Sequence, residues 1–132
     1  MIKYSEKYFE ELAVSNPNEL IELIKSNKLE NSLLTFAVEI AGKYIHTNEC
    51  FNILINLLNH ESAIVKEGII YGLLEFYEID CKTNFFENKN KIIYTLQKIS
   101  NNEKSVILVS LIKDTIKNLK LQNNKFQDDL NE

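Results

Sequence analysis

The sequence predicts an all-α protein of about seven helices packed as antiparallel hairpins, and three observations carry that prediction. Turn-formers are scarce: 132 residues contain one proline, Pro17, and three glycines, too few to punctuate many short strands. Apolar residues recur at spacings of three and four rather than two along most of the chain. The polar breaks between these stretches are mostly short, which favours neighbouring antiparallel helices.

Taken in order, Tyr4, Tyr8 and Leu12 recur every fourth residue and predict a short amphipathic helix over the first dozen residues. In SNPNELIELIKSN, Ser15 or Asn16 can cap, Pro17 suits the first helical position, and Leu20, Leu23 and Ile24 form an apolar face. ENSLLTFAVEIAGKYI follows, capped by Asn31 or Ser32, with Leu33, Ala37, Ile40, Ala41 and Tyr44 along one stripe. Thr47 or Asn48 starts ECFNILINLLNH, whose inner face is Phe51, Leu54, Ile55 and Leu58 and whose wet side is Asn52, Asn56 and Asn59. HESAIVKEGIIYGLLEF comes next, capped by Ser62. The polar stretch DCKTNFFENKN is the one longer connection, with Phe85 and Phe86 expected to fold back onto the core. Ile92, Leu96 and Ile99 mark a sixth helix, and Val109, Ile112, Ile116 and Leu119 a seventh. Residues 1–121 are therefore expected to form a single domain. Residues 122–132 lack a periodic apolar face and are expected to fray.

The totals exclude several functions. Net charge is −4, the isoelectric point is about 5.3, and all fifteen basic residues are lysine. Without arginine the chain lacks the rigid fork that grips phosphate, and it has no basic stripe, so nucleic acid is not the expected partner. A basic protein is. No run of about 18 apolar residues exists to span a membrane, and MIKYSEKYFEEL has no signal-peptide core. Cys50 and Cys81 form no CxxC pair and read as reduced thiols, which fits a cytoplasmic protein.

Self-similarity supplies a finer expectation. LINLLNHESAIVKEGIIYGLLEF aligns with YTLQKISNNEKSVILVSLIKDTI at a shift of 41, placing Leu58 on Ile99 and Val65 on Val106. LIELIKSNKLENSLLTFAVEIAGKY is a shorter third copy, with Leu33, Ala37 and Ala41 standing where Val65, Ile69 and Leu73 stand. The middle copy has an apolar first helix ending in a short polar turn. Val65, Lys66 and Glu67 then open the second helix, followed by Gly68, Gly72 and Leu73. This pattern resembles a HEAT repeat, the paired-helix unit of the HEAT/armadillo superfamily, with lysine at Lys66 where the family has arginine. The resemblance implies a short right-handed superhelix of stacked hairpins, an α-solenoid. It also offers a reason for two glycines one turn apart in a helix, each costing about 1 kcal/mol relative to alanine. Where backbones approach within about 8 Å, only small side chains fit.

Motifs that carry chemistry are missing. His46, Glu49 and Cys50 share a helix end, but a metal site needs three or four convergent ligands and no second cluster completes one. No GxSxG, phosphate loop or HExxH occurs. No catalytic residue, metal or cofactor is expected, and the chain is not expected to be an enzyme. In HEAT-like proteins the second helices line a concave surface. On that surface the resemblance places Glu67, Tyr71, Glu75 and Glu78 of the fifth helix, Glu39 and Lys43 of the third, and Asp114 of the last. A tyrosine flanked by carboxylates suits recognition of a cationic partner. Small acidic helical chains of this kind look like bacterial immunity proteins, which sequester a basic toxin domain, often a nuclease. The other expectations are a HEAT-repeat adaptor or regulatory subunit of a larger complex and, more remotely, a HEAT-like DNA-repair glycosylase. That last group works with a basic face, and this chain has the acids without the arginines. A monomer is the favoured state.

Overall fold

The computed structural model describes the backbone of residues 4–80 and 85–131, and the side chains of 4–75 and 89–121. Every regular element among the described residues is a helix: α1 (Glu6–Ser15), α2 (Pro17–Lys25), α3 (Asn31–Tyr44), α4 (Asn48–Leu57), α5 (Ala63–Asp80), α6 (Phe85–Ser100) and α7 (Val106–Asn131). The all-helical expectation therefore holds. The chain divides into two compact units, Met1–Phe85 and Phe86–Glu132.

Local chemistry sets the helix starts. The Ser5 hydroxyl accepts from the Tyr8 amide at 3.1 Å, Thr47 accepts from the Cys50 amide at 3.1 Å, and Ser62 accepts from the Val65 amide at 3.4 Å. Pro17 takes the first position of α2 behind Asn16. The Asn16 carboxamide does not cap; it donates to Glu19 Oε2 at 3.1 Å. α2 stops where Asn27 turns left-handed at φ 62°, a conformation asparagine tolerates better than most residues. α3 corrects an expectation. Its cap is Glu30, without a side-chain bond, and Asn31 and Ser32 lie inside the helix. α6 begins at Phe85, so the polar connection is shorter than predicted; the side chains of Phe85 and Phe86, like Cys81, lie outside the described residues. α7 continues to Asn131, ten positions beyond Leu121, where the apolar stripe stops.

In the first unit α3 is central, packing against α1, α2, α4 and α5. α2 also touches α1, and α4 also touches α5. The core consists of Phe9, Leu20, Leu54, Leu58, Ile69, Ile70 and Leu73, all essentially inaccessible, with Ala37, Val38 and Ala41 between them. α1 buries Phe9, Leu12 and Ala13, which leaves Tyr4 and Tyr8 at its rim rather than at its centre.

The α3–α5 contact answers the glycine question. A Cβ at Gly68 would lie 2.7 Å from the Thr35 carbonyl oxygen, and one at Gly72 would lie 2.7 Å from the Val38 carbonyl oxygen. A Cβ at Gly42 would land on the Gly72 backbone. All three glycines of the chain therefore sit on one seam where main chain meets main chain. The order of contacts, Thr35 with Gly68 and then Val38 and Gly42 with Gly72, makes α3 and α5 run in the same direction. α4, joined to both by short connections, runs back between their ends.

In the second unit α6 buries Lys89, Ile92 and Leu96, and α7 buries Leu108, Ile112, Thr115 and Leu119. α7 reproduces the start of α5 closely. Ser62 and Ser105, 43 positions apart, each cap the amide three residues on, and each gives its own amide to the residue two before it, His60 Nδ1 and Glu103 Oε1. Local structure thus equates Val65 with Leu108, both buried, and corrects the 41-residue shift. Val106, matched to Val65 from sequence, is 82% exposed.

Cys50 on α4 is buried and free, with its thiol directed at the Ala41 carbonyl oxygen at 3.6 Å. Burial, with a smaller push from the Glu49 carboxylate, drives the thiol up to about 12. The thiolate is the reactive form. In a Cys81→Ser variant, native Cys50 is expected to react with a disulfide reagent at pH 8 on the order of a thousandfold more slowly than in urea. Equal rates would show that the α3–α4 contact does not enclose it.

Candidate functional site

α3 and α5 lie side by side, so the residues flanking their seam face one another across it. Gly72 packs with its Cα toward Glu39, whose own Cα would be 3.2 Å from an added Cβ. Tyr71 precedes Gly72, and Glu67 and Glu75 stand one turn to either side of Tyr71. Tyr71 is 41% exposed, while Glu39, Glu67 and Glu75 are half-buried. Six of the seven residues expected to bind a partner, Glu39, Lys43, Glu67, Tyr71, Glu75 and Glu78, thus lie on this one helix pair. The Glu78 side chain lies outside the described residues. Asp114 is exposed on α7, in the second unit.

Electrostatics ties the carboxylates together. Burial raises the Glu39 carboxyl above its ordinary 4.5; Glu75, Glu6 and, more weakly, Glu67 raise it further, and Lys43 opposes them. Among the described residues none of these four carboxylates is in a salt bridge. The Lys43 ammonium instead lies over the Tyr44 ring, 5.5 Å from its centroid. The face therefore carries unneutralised negative charge around an exposed phenol.

A pH dependence follows. In the folded chain Glu39 holds its proton to a higher pH than in the unfolded chain. Its contribution favours folding in full below pH 4.5 and is lost as pH rises through the raised value. Glu39→Gln is expected to be more stable than the parent at pH 7, with the gap shrinking as pH falls toward 4.5. Urea titrations at a series of pH values check this. A variant less stable at pH 7 would mean that the carboxylate is held by favourable contacts.

Three residues of this surface were not anticipated. Glu6, at the start of α1, acts on Glu39 from a third helix. Phe36 and Ile64, 42% and 60% exposed, are each seven positions before a predicted contact residue, Lys43 and Tyr71, and so share their helix faces. That heptad spacing was readable; the approach of α1 was not.

His46 and Cys50 do not converge. The His46 Nε2 pairs with the Lys43 carbonyl oxygen at 2.8 Å, while Cys50 points at Ala41. Among the described residues no group of three or more His, Cys, Asp and Glu could hold a metal ion, and no helix is long and apolar enough to cross a membrane.

Comparison with known proteins finds no family model that matches the chain, no similar curated protein and no similar solved structure.

Proposed function

We propose that the protein is a non-catalytic binding module whose α3–α5 face grips a basic protein, built from hairpins stacked in the HEAT-like manner. Most concretely, it is an immunity protein that neutralises a basic toxin domain. One observation carries this reading: Glu39, Glu67 and Glu75 flank one seam with Glu6 near them, their charges add to burial in raising the Glu39 carboxyl, and none has a salt-bridge partner among the described residues. A cationic partner relieves that repulsion on docking, and the same field speeds its approach. Tyr71, Phe36 and Ile64 supply the apolar contact that charge alone does not. The HEAT-like reading draws on the α3–α5 seam, in which second helices pack directly on one another with α2 and α4 behind them.

The test is capture from cells of the source, with the parent chain and the Glu67→Ala/Tyr71→Ala/Glu75→Ala variant as baits. The expected result is a basic protein held by the parent and released by the variant. That protein is toxic when expressed alone and harmless when co-expressed with the parent chain. A partner that is harmless alone points to the adaptor role instead. A partner held equally by both baits removes this face from consideration.

A further inference from the structure

A second surface, sharing no residue with the α3–α5 face, lies where α1 meets α2. There Tyr4, Tyr8, Glu19, Glu22, Leu23 and Lys28 border a cleft of about 380 Å³. The two tyrosine rings form a corner, 5.9 Å between centroids and 63° between planes. Both are fixed from behind by Phe9, which is wholly buried. Tyr4 stacks on it at 18° and Tyr8 meets it edge-on at 64°, each with its centroid 6.1 Å away. Ring packing on Phe9 thus holds the corner in place without a ligand, which lowers the ordering cost of binding.

The charges around it have one sign in excess. Glu19 and Glu22 stand against Lys28 alone on the border. Among the described residues Glu22 is engaged only by the exposed Lys25 at 3.5 Å, a contact of the weak surface kind. Glu19 Oε2 accepts from the Asn16 side-chain carboxamide at 3.1 Å, and among the described residues Oε1 is left available. Aromatic faces and carboxylates both attract cations, and an alkyl stem suits Leu23. An anion would meet two carboxylates; a neutral apolar group would leave them without a counter-charge.

We propose that the α1–α2 cleft is a binding site for an alkylammonium group, its carbon stem against Leu23 and its cation between the tyrosine corner and the two carboxylates. The ammonium belongs either to a free diamine or to a lysine side chain of another protein, and the chemistry is shared. This site stands whether or not the α3–α5 face binds a partner.

The experiment follows the tyrosine ring resonances of the full-length chain during titration with three probes. These are a short peptide bearing one lysine, the same peptide with norleucine in its place, and cadaverine. The cationic peptide is expected to move the Tyr4 and Tyr8 signals saturably and to bind at least tenfold more tightly than the neutral one. Cadaverine binding more tightly than the peptide marks a diamine site, and the reverse order marks a protein-lysine site. Tyr8→Phe should retain binding, and Tyr8→Ala should weaken it about fivefold to tenfold. Glu19→Gln/Glu22→Gln, altered only at exposed positions, should lower affinity without disturbing the fold. Equal affinity for the norleucine peptide, saturation that leaves both tyrosines unmoved, or no binding of either cation would overturn the proposal.

Discussion

Replacing Gly72 with alanine is expected to destabilise the protein by about 2–3 kcal/mol and to lower its melting temperature by on the order of 8 °C. Helix propensity alone points the other way, since alanine in a helix interior contributes about 1 kcal/mol over glycine. The seam decides the sign. A methyl group at residue 72 meets the Val38 carbonyl oxygen at 2.7 Å and the Glu39 Cα at 3.2 Å. Both are main-chain atoms, so no side chain can rotate away and the two helices must part. Parting them opens the seam along Thr35, Val38 and Gly42, where the buried backbone of α3 meets α5. Gly42→Ala strikes the same spot from the other helix, so the double variant should cost less than the two single losses combined. Thermal and urea unfolding followed by helical circular dichroism measure all three. A melting temperature that rises in Gly72→Ala would refute the backbone contact.

The second large effect is on binding. Once the partner is identified, the Glu67→Ala/Tyr71→Ala/Glu75→Ala variant is expected to bind it at least a hundredfold more weakly. The loss should divide by kinetics. Tyr71 is a stiff, exposed, amphipathic anchor, and its removal should show mainly as faster dissociation. The carboxylates act at a distance, and their removal should slow association and flatten its dependence on salt. Parent association should therefore fall steeply between about 0.05 and 0.5 M salt, and that of the variant should not. Surface plasmon resonance at several salt concentrations separates the two effects. Identical salt slopes would mean that the carboxylate face does not steer the partner.

Much of this was legible in the sequence because helix period, caps and small residues are local signals. Thr47 and Ser62 announced their helices, since each accepts from the amide three residues on, and Pro17 announced a first turn, where its missing N–H costs nothing. Gly68 and Gly72 were legible because two glycines one turn apart weaken a helix unless something packs on them. Gly42 was not, because a single glycine near a helix end looks like an ordinary stop signal; its reason lies in another helix, at Gly72. The 41-residue shift failed for a related reason. Apolar matching tracked α4 against α6, whereas the starts of α5 and α7 are fixed by Ser62 and Ser105. The pairing of Glu39 with Glu75 and Glu67 followed once α3 and α5 were set side by side; the arrival of Glu6 depends on where α1 lies, which no spacing encodes.

The central place of α3 has a consequence for how the chain is made. As the protein leaves the ribosome, α1, α2 and α3 can already close on one another, because each of the three touches the other two. The flank of α3 that carries Thr35, Val38 and Gly42 then stays bare until another twenty or more residues have emerged and α5 arrives. During that interval the exposed strip is backbone and small residues rather than bulky apolar groups, a poor target for holdase chaperones and for sticking to other nascent chains. The seam that makes the finished fold intolerant of a single methyl group also keeps its half-built form inconspicuous.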